Sequence, residues 1–191
     1  MPKPTYNVVN IVASVQFDVE KVIDLNFIDM ANKNAEYHPE VFPGLVFRLQ
    51  KPKSTVLIFG NGKLVLTGLK KEKDAKPVTL KVIKVIEQSG AVIKSEPEIK
   101  IQNIVASGDL HFNLDVDLMS ISLDHAIYEP EVFPGLIYRM KHPKVVFLLF
   151  WSGKIVCVGA KTETDVKHAI QNLLREIQDL DFVTFWILIV K

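Results

Sequence analysis

The sequence predicts an α+β fold made of two pseudo-symmetric repeats, and three observations predict it. One stretch occurs twice: residues 37–70 and 128–161 align without a gap at an offset of 91 residues and agree at 18 of 34 positions. Each copy holds short β-branched runs joined by hairpin-length turns, which makes neighbouring strands antiparallel. Each repeat also supplies two helical stretches, enough to cover one face of a sheet. The expected architecture is a saddle: one curved continuous antiparallel sheet with helices on the convex face.

The duplication reaches upstream, where residues 9–14 (VNIVAS) recur as 102–107 (QNIVAS) at an offset of 93. The expected boundaries are therefore residues 1–95 for the first repeat and 96–191 for the second. In order, residues 7–15 read as a strand. Residues 18–32 read as a helix behind Asp18 as N-cap, with Val19, Val22, Ile23, Phe27 and Met30 near helical spacing. Pro39, Pro43 and Gly44 punctuate a loop. Strands follow at 45–49, 55–59 and 63–67, with turns at 51–53 and at Gly60-Asn61-Gly62, a tight hairpin signal. Residues 74–89 read as a helix whose Val78, Val82, Val85 and Ile86 share a face, with Pro77 in the first turn and Gly90 as a stop. The second repeat gives a strand at 101–107, a shorter helix near 114–123, three strands, and a helix over 164–180. In that last helix Val166, Ala169, Ile170, Leu173, Leu174 and Ile177 form a stripe.

Composition sets limits on chemistry. A length of 191 residues and 48% hydrophobic content suffice for a packed core, and a net charge of +1 favours no class of partner by itself. Cys157 is the only cysteine, so an intrachain disulfide is ruled out. His38, His111, His125, His142 and His168 have neither zinc nor triad spacing. The opening MPKPTYN has no apolar leader and no run has the length of a membrane span, so a soluble cytoplasmic protein is expected.

Strand alternation points to a second, uncovered face. Leu57, Phe59, Val65 and Thr67 share one parity and Val56, Ile58, Leu64 and Leu66 the other, and both sets are largely apolar. Helices on one side leave the other set without cover, which implies a partner. A strand Phe is ordinarily core. Here, however, Arg48, Lys53 and Lys63 recur as Arg139, Lys144 and Lys154 at the ends of the same strands. An apolar strip rimmed by cations suits the DNA minor groove, whose rims are phosphates and whose floor at A·T pairs offers only acceptors.

The repeated motifs Asn-Ile-Val-Ala-Ser, Tyr-x-Pro-Glu-x-Phe-Pro-Gly-Leu, Leu-(Ile/Leu)-Phe and Gly-Lys-(Leu/Ile)-Val resemble those of the TATA-binding protein family, in the same order and across nearly the entire chain. The resemblance implies intercalating pairs at Phe42 and Phe59 and at Phe133 and Phe150. It implies base contacts by Asn10 and Asn103, and a groove-floor set of Val12, Leu57, Val65, Thr67, Val105, Leu148, Val156 and Val158. Arg48, Lys53, Lys63, Arg139, Lys144 and Lys154 would face phosphates. Glu129, Glu131 and Val132 match the family's acidic loop that receives transcription factor B. The first-repeat Phe-Pro-Gly-Leu and the short N-terminus are similar to archaeal members.

Two positions depart from the family pattern. Val158 stands where a Thr, kept as Thr67 in the first repeat, is usual, so the two half-sites should not hydrogen-bond equally. Trp151 beside Phe150 is bulkier than expected. Residues 181–191 (DFVTFWILIVK) form an atypical apolar tail. The implied protein is a non-enzymatic, cofactor-free and metal-free initiation factor. It would bind A·T-rich promoter DNA as a monomer, with dimerisation possible off DNA, kink it, and recruit transcription factor B and RNA polymerase at the nucleoid. The alternatives are a divergent paralogue with weak DNA binding and a duplicated α/β ligand-binding protein. The second would need convergent polar groups, which the repeated positions do not supply.

Overall fold

A computed structural model describes residues 2–179, within which ten strands and four α-helices make an α+β fold. The chain packs as two compact units, one of residues 9–103 and the other joining the residues before 9 to those after 103; the division falls inside the two longest strands, each of which is assigned to the repeat it opens. The first unit has strands β1 (Thr5–Gln16), β2 (Ala35–Glu36), β3 (Leu45–Gln50), β4 (Lys53–Ile58) and β5 (Lys63–Leu69). Its helices are α1 (Leu25–Ala31) and α2 (Ala75–Gln88), and its sheet order is β2-β3-β4-β5-β1 with antiparallel neighbours. The second unit repeats this with β6 (Glu98–Asp109), β7 (Ala126–Ile127), β8 (Leu136–Met140), β9 (Val145–Leu149) and β10 (Lys154–Ala160), ordered β6-β10-β9-β8-β7. Its helices are α3 (Val116–Ser122) and α4 (Glu163–Asp179).

The core follows from the two periodicities. Val56, Ile58, Leu64 and Leu66 are fully buried, while the alternate set Leu57, Phe59, Val65 and Thr67 is only half-buried. Val78, Val82 and Ile86 of α2 are buried in the first unit, and Val166, Ala169, Ile170, Leu173 and Ile177 of α4 in the second. Val85 and Leu174, at the edges of those stripes, are half-buried. The turn glycines are dictated by space: Gly62 and Gly153 have φ of 82° and 81°, and a Cβ there would lie 2.2 Å from the Phe17 carbonyl oxygen and 2.1 Å from that of Phe112.

The helix expected over residues 18–32 is largely replaced by other structure. Asp18 accepts a hydrogen bond from Lys94 N–H at 2.8 Å, Glu20 N–H donates to Val92 at 2.9 Å, and Val19 forms an isolated bridge to Ile93. Those backbone pairings hold residues 18–20 extended. The helix begins only where the Asp24 carboxylate accepts from Phe27 N–H at 3.0 Å. It buries Leu25 and Ile28, and of the expected face Ile23 is buried but Val22 is 81% and Met30 82% exposed. The other expected elements lie close to their expected places, with β1, β5 and β6 each running farther than periodicity indicated and β4 shifted toward the N-terminus, and the short β2 and β7 were not expected. Leu180 and the apolar tail lie outside the described residues. No helix among the described residues is long and apolar enough to cross a membrane.

Candidate nucleic-acid interface

The sheet register turns the uncovered face into rows. In the first unit Val46 pairs with Leu57, Leu57 with Val65 and Val65 with Ser14, all on the side opposite the core. The second unit has an equivalent row of its own, Ile137, Leu148, Val156 and Ser107. The adjoining row runs Arg48, Thr55, Thr67 in one unit and Arg139, Val146, Val158, Val105 in the other. Leu57, Val65, Thr67, Leu148, Val156, Val158, Val12 and Val105 are all half-buried. Each unit's sequence-predicted residues are thus brought onto one face. Val46 and Thr55 in the first unit, and Ile137 and Val146 in the second, belong to these faces and were missed; the parity of β3 and β8 and the cross-strand partners of Thr67 and Val158 were the signals that could have found them.

An aromatic pair lies just past the end of β4 and another just past the end of β9, since Phe59 follows Ile58 and Phe150 follows Leu149. The rings of Phe42 and Phe59 lie 5.8 Å apart at 69°, and those of Phe133 and Phe150 5.9 Å apart at 63°, both edge to face. The Phe-Pro-Gly turn makes this possible. A Cβ on Gly44 would sit 2.7 Å from the Phe42 ring and 2.9 Å from that of Phe59, and Gly135 repeats the constraint with Phe133 and Phe150 at 2.8 and 2.9 Å. Phe42 remains 38% exposed.

Asn10 holds a defined orientation. Its Oδ1 accepts from Gly68 N–H at 2.7 Å and from the Thr67 hydroxyl at 3.4 Å, so the amide nitrogen is the group left to donate. Asn103 is half-buried at the equivalent place, and Val158 offers it no hydroxyl.

The cations surround the face, but two of them are engaged. Arg48 Nη1 donates to Glu36 Oε2 at 2.7 Å and Lys154 Nζ to Asp109 Oδ2 at 2.6 Å. The Arg48 hydrogen bond holds the Glu36 carboxyl below the usual range, and the Lys154 hydrogen bond, helped by His111 N–H, does the same for Asp109. Their counterparts differ: Ile127 stands for Glu36 and Gln16 for Asp109, so Arg139 and Lys63, like Lys53 and Lys144, have no acidic partner among the described residues. Beside Val146 and Val158, a depression of about 860 Å³ is lined by Arg139, Lys141, Lys144 and Lys161. Lys141 and Lys161 are two further cations that the strand-end reading did not include.

Glu129, Glu131 and Val132 lie together on an exposed turn in which the Glu129 carbonyl accepts from the N–H groups of Val132 and Phe133, both at 2.9 Å. Among the described residues no group of His, Cys, Asp and Glu is arranged to hold a metal. Cys157 is buried, and burial pushes its thiol up to about 12, which makes it a poor nucleophile. The surface can neutralise phosphates, present an apolar strip and donate from Asn10.

Against known proteins, the family model described as "Transcription factor TFIID (or TATA-binding protein, TBP)" matches residues 5–89 and again 98–180. The chain is 49% identical over 177 residues to the TATA-box-binding protein of Pyrobaculum islandicum, covering 93% of this chain and 88% of that one. It is 45% identical over 181 residues to that of Pyrococcus furiosus, covering 93% and 92%. Among solved structures, that of Methanococcus jannaschii TBP superposes with a TM-score of 0.80 at 44% identity, covering 91% of this chain and 98% of that chain.

Proposed function

The chain belongs to the TATA-binding protein family, and from that premise we propose a TATA-box-binding initiation factor, not an enzyme, that kinks promoter DNA and then recruits transcription factor B and RNA polymerase. The observation that carries the reading is the repeated face: an apolar row, an edge-to-face Phe pair past the end of the neighbouring strand and cations around it, present in each unit. Phosphates along the groove rims meet Arg48, Lys53, Lys63, Arg139, Lys144 and Lys154. The apolar rows lie on a floor free of guanine amino groups, where Asn10 donates to an A N3 or T O2 acceptor.

Phe42 with Phe59 and Phe133 with Phe150 enter base steps and unstack them, the kinking strategy for which the handful of known minor-groove benders, this family included, is recognised. Much of the specificity then comes from the cost of deforming the site, lowest at flexible pyrimidine–purine steps. The exposed turn of Glu129, Glu131 and Val132 receives transcription factor B. Because the first unit has His38 where the second has Glu129, that contact gives a nearly symmetric complex one direction. The protein acts on nucleoid DNA in the cytoplasm, as a monomer once bound.

Binding to a TATA duplex and to its G·C-substituted twin, with end-labelled DNA reporting the bend by energy transfer, tests this. Selective binding with shortened end-to-end distance is expected, and Phe150→Ala should reduce both bend and lifetime. Equal affinity for the two duplexes, with and without transcription factor B, would overturn it in favour of a paralogue that keeps the fold and has lost promoter recognition.

A further inference from the structure

Trp151 and its neighbours form a part of the second unit that the first does not reproduce. The turn after β9 reads Trp151-Ser152-Gly153 where the turn after β4 reads Gly60-Asn61-Gly62. The backbones agree: Ile23 N–H donates to the Gly60 carbonyl at 2.9 Å, and Leu114 N–H donates to that of Trp151 at 2.8 Å. The side chains have changed together. A Cβ on Gly60 would meet Val22 Cγ1 at 2.9 Å, whereas the second unit has Asn113 in place of Val22 and an indole in place of the missing Cβ. That indole is 59% exposed.

The Phe133–Phe150 contact joins this turn to the acidic one. Val132 precedes Phe133 and is 80% exposed, and Trp151 follows Phe150, so two large apolar side chains flank one ring pair. Glu129 and Glu131 lie exposed on the same turn as Val132, with no basic partner among the described residues. In the first unit Glu40 and Glu36 instead stand against His38, at 3.6 and 3.7 Å. We infer that Trp151 is the anchor of a protein-docking surface made with Val132, Glu129 and Glu131, and that its occupant is a protein presenting an apolar pocket ringed by basic side chains. This rests on the reading that transcription factor B docks on the acidic turn, and enlarges that site to a second loop.

Two arguments favour protein over DNA as the occupant. The carboxylates of Glu129 and Glu131 repel phosphates and attract basic side chains. A solvent-exposed Trp beside an apolar neighbour and within a polar rim has the composition of an interface hot spot, where burying one aromatic dominates affinity.

Trp151→Ala and Trp151→Gly, the latter restoring the first unit's residue, separate the two occupants. On a labelled TATA duplex both variants should bind with unchanged affinity, while the dissociation constant of purified transcription factor B from the promoter complex rises by about tenfold or more. In a Trp186→Phe chain Trp151 is the sole tryptophan of the two present, so 5-fluorotryptophan labels it alone. Its fluorine resonance should move again when transcription factor B joins the preformed promoter complex, beyond the shift that insertion of the neighbouring Phe150 causes when the duplex alone is added. A resonance that does not move on that second addition, or a loss of duplex affinity in both variants, would overturn the inference. Glu131→Lys serves as the control: if it abolishes the ternary complex while Trp151→Ala does not, this inference fails and the acidic-turn reading stands. If neither variant matters, both fail.

Discussion

At the residue scale, the hydroxyl of Thr67, absent at Val158, distinguishes how the two half-surfaces hold their Asn. Thr67 donates to Asn10 Oδ1 and, with Gly68 N–H, fixes which end of that amide is free, whereas Val158 packs in register with Val105 and Val146 and donates nothing. One net hydrogen bond is worth about 1 kcal/mol, or roughly fivefold in affinity. Thr67→Val is therefore expected to weaken promoter binding by about that factor, and Val158→Thr to strengthen it by less, since no second-unit geometry has been built around the new hydroxyl. Competition binding on duplexes substituted in one half-site at a time checks this. If Val158→Thr alters binding to both half-site substitutions equally, the valine is not reading its own half. Of the candidate surface, the repeated Phe, Asn and Leu positions were legible because duplication preserved them. Thr55 and Val146 share the strand parity of Leu57 and Leu148 and were within reach of the same reading; what local spacing does not give is the register, set by turns, that puts them opposite Thr67 and Val158.

At the scale of elements, α4 and α1 show what periodicity can carry. α4 is long, and its apolar stripe agrees with its burial almost position for position. In α1 only seven residues are helical, too few for a period to outweigh the Asp24 cap and the backbone pairing of residues 18–20 with 92–94. The contact of α4 with β8 carries a polar pair where the first unit's α2 and β3 have Val85 and Phe47. Glu176 is hydrogen-bonded with Tyr138, and its Oε2 is buried without a partner among the described residues. Burial raises the Glu176 carboxyl, against the opposing hydrogen bond from Tyr138; burial and Glu176, with Asp124 nearby, raise the Tyr138 hydroxyl. A raised carboxyl favours its protonated form in the fold. Its stabilising contribution is therefore full below the ordinary Glu range and is lost as pH rises through the raised value. Replacing both residues by the first unit's pair, Tyr138→Phe with Glu176→Val, should stabilise the protein at pH 7 by about 1 kcal/mol. Thermal melts should show that advantage shrinking as pH falls toward the ordinary Glu range. Tyr138→Phe alone strips Glu176 of its hydrogen bond and should destabilise. An advantage that does not change between pH 7 and pH 4 would mean that Glu176 is not the group responsible.

For the whole molecule, a net charge of +1 hides an uneven distribution of usable cations. Six equivalent phosphate contacts would give log K against log salt a slope of about −5 on B-DNA, at roughly −0.9 for each. Arg48 and Lys154 are already neutralised by Glu36 and Asp109, and a phosphate that replaces those carboxylates releases less counterion than one meeting a free cation. The slope expected for the unaltered protein is therefore closer to −4, about four free cations' worth. Asp109→Asn and Glu36→Gln should each steepen it by somewhat less than one unit and raise affinity at low salt, because each removes a carboxylate that repels the incoming phosphate. Both carboxyls are held below the usual range, so the pairs persist through neutral and mildly acidic pH. They open only as pH falls through those lowered values, and between pH 6 and 8 the slope should not change on their account. The two substitutions act on different repeats and through different counterparts, so their effects on log K should add. A slope that stays put in Asp109→Asn while Lys154→Ala flattens it would mean that Lys154 reaches phosphate with its carboxylate partner still attached. If both variants leave the slope unchanged, Lys154 lies off the backbone path, and the cationic rim of the second unit would have to be drawn through Arg139, Lys141, Lys144 and Lys161 instead.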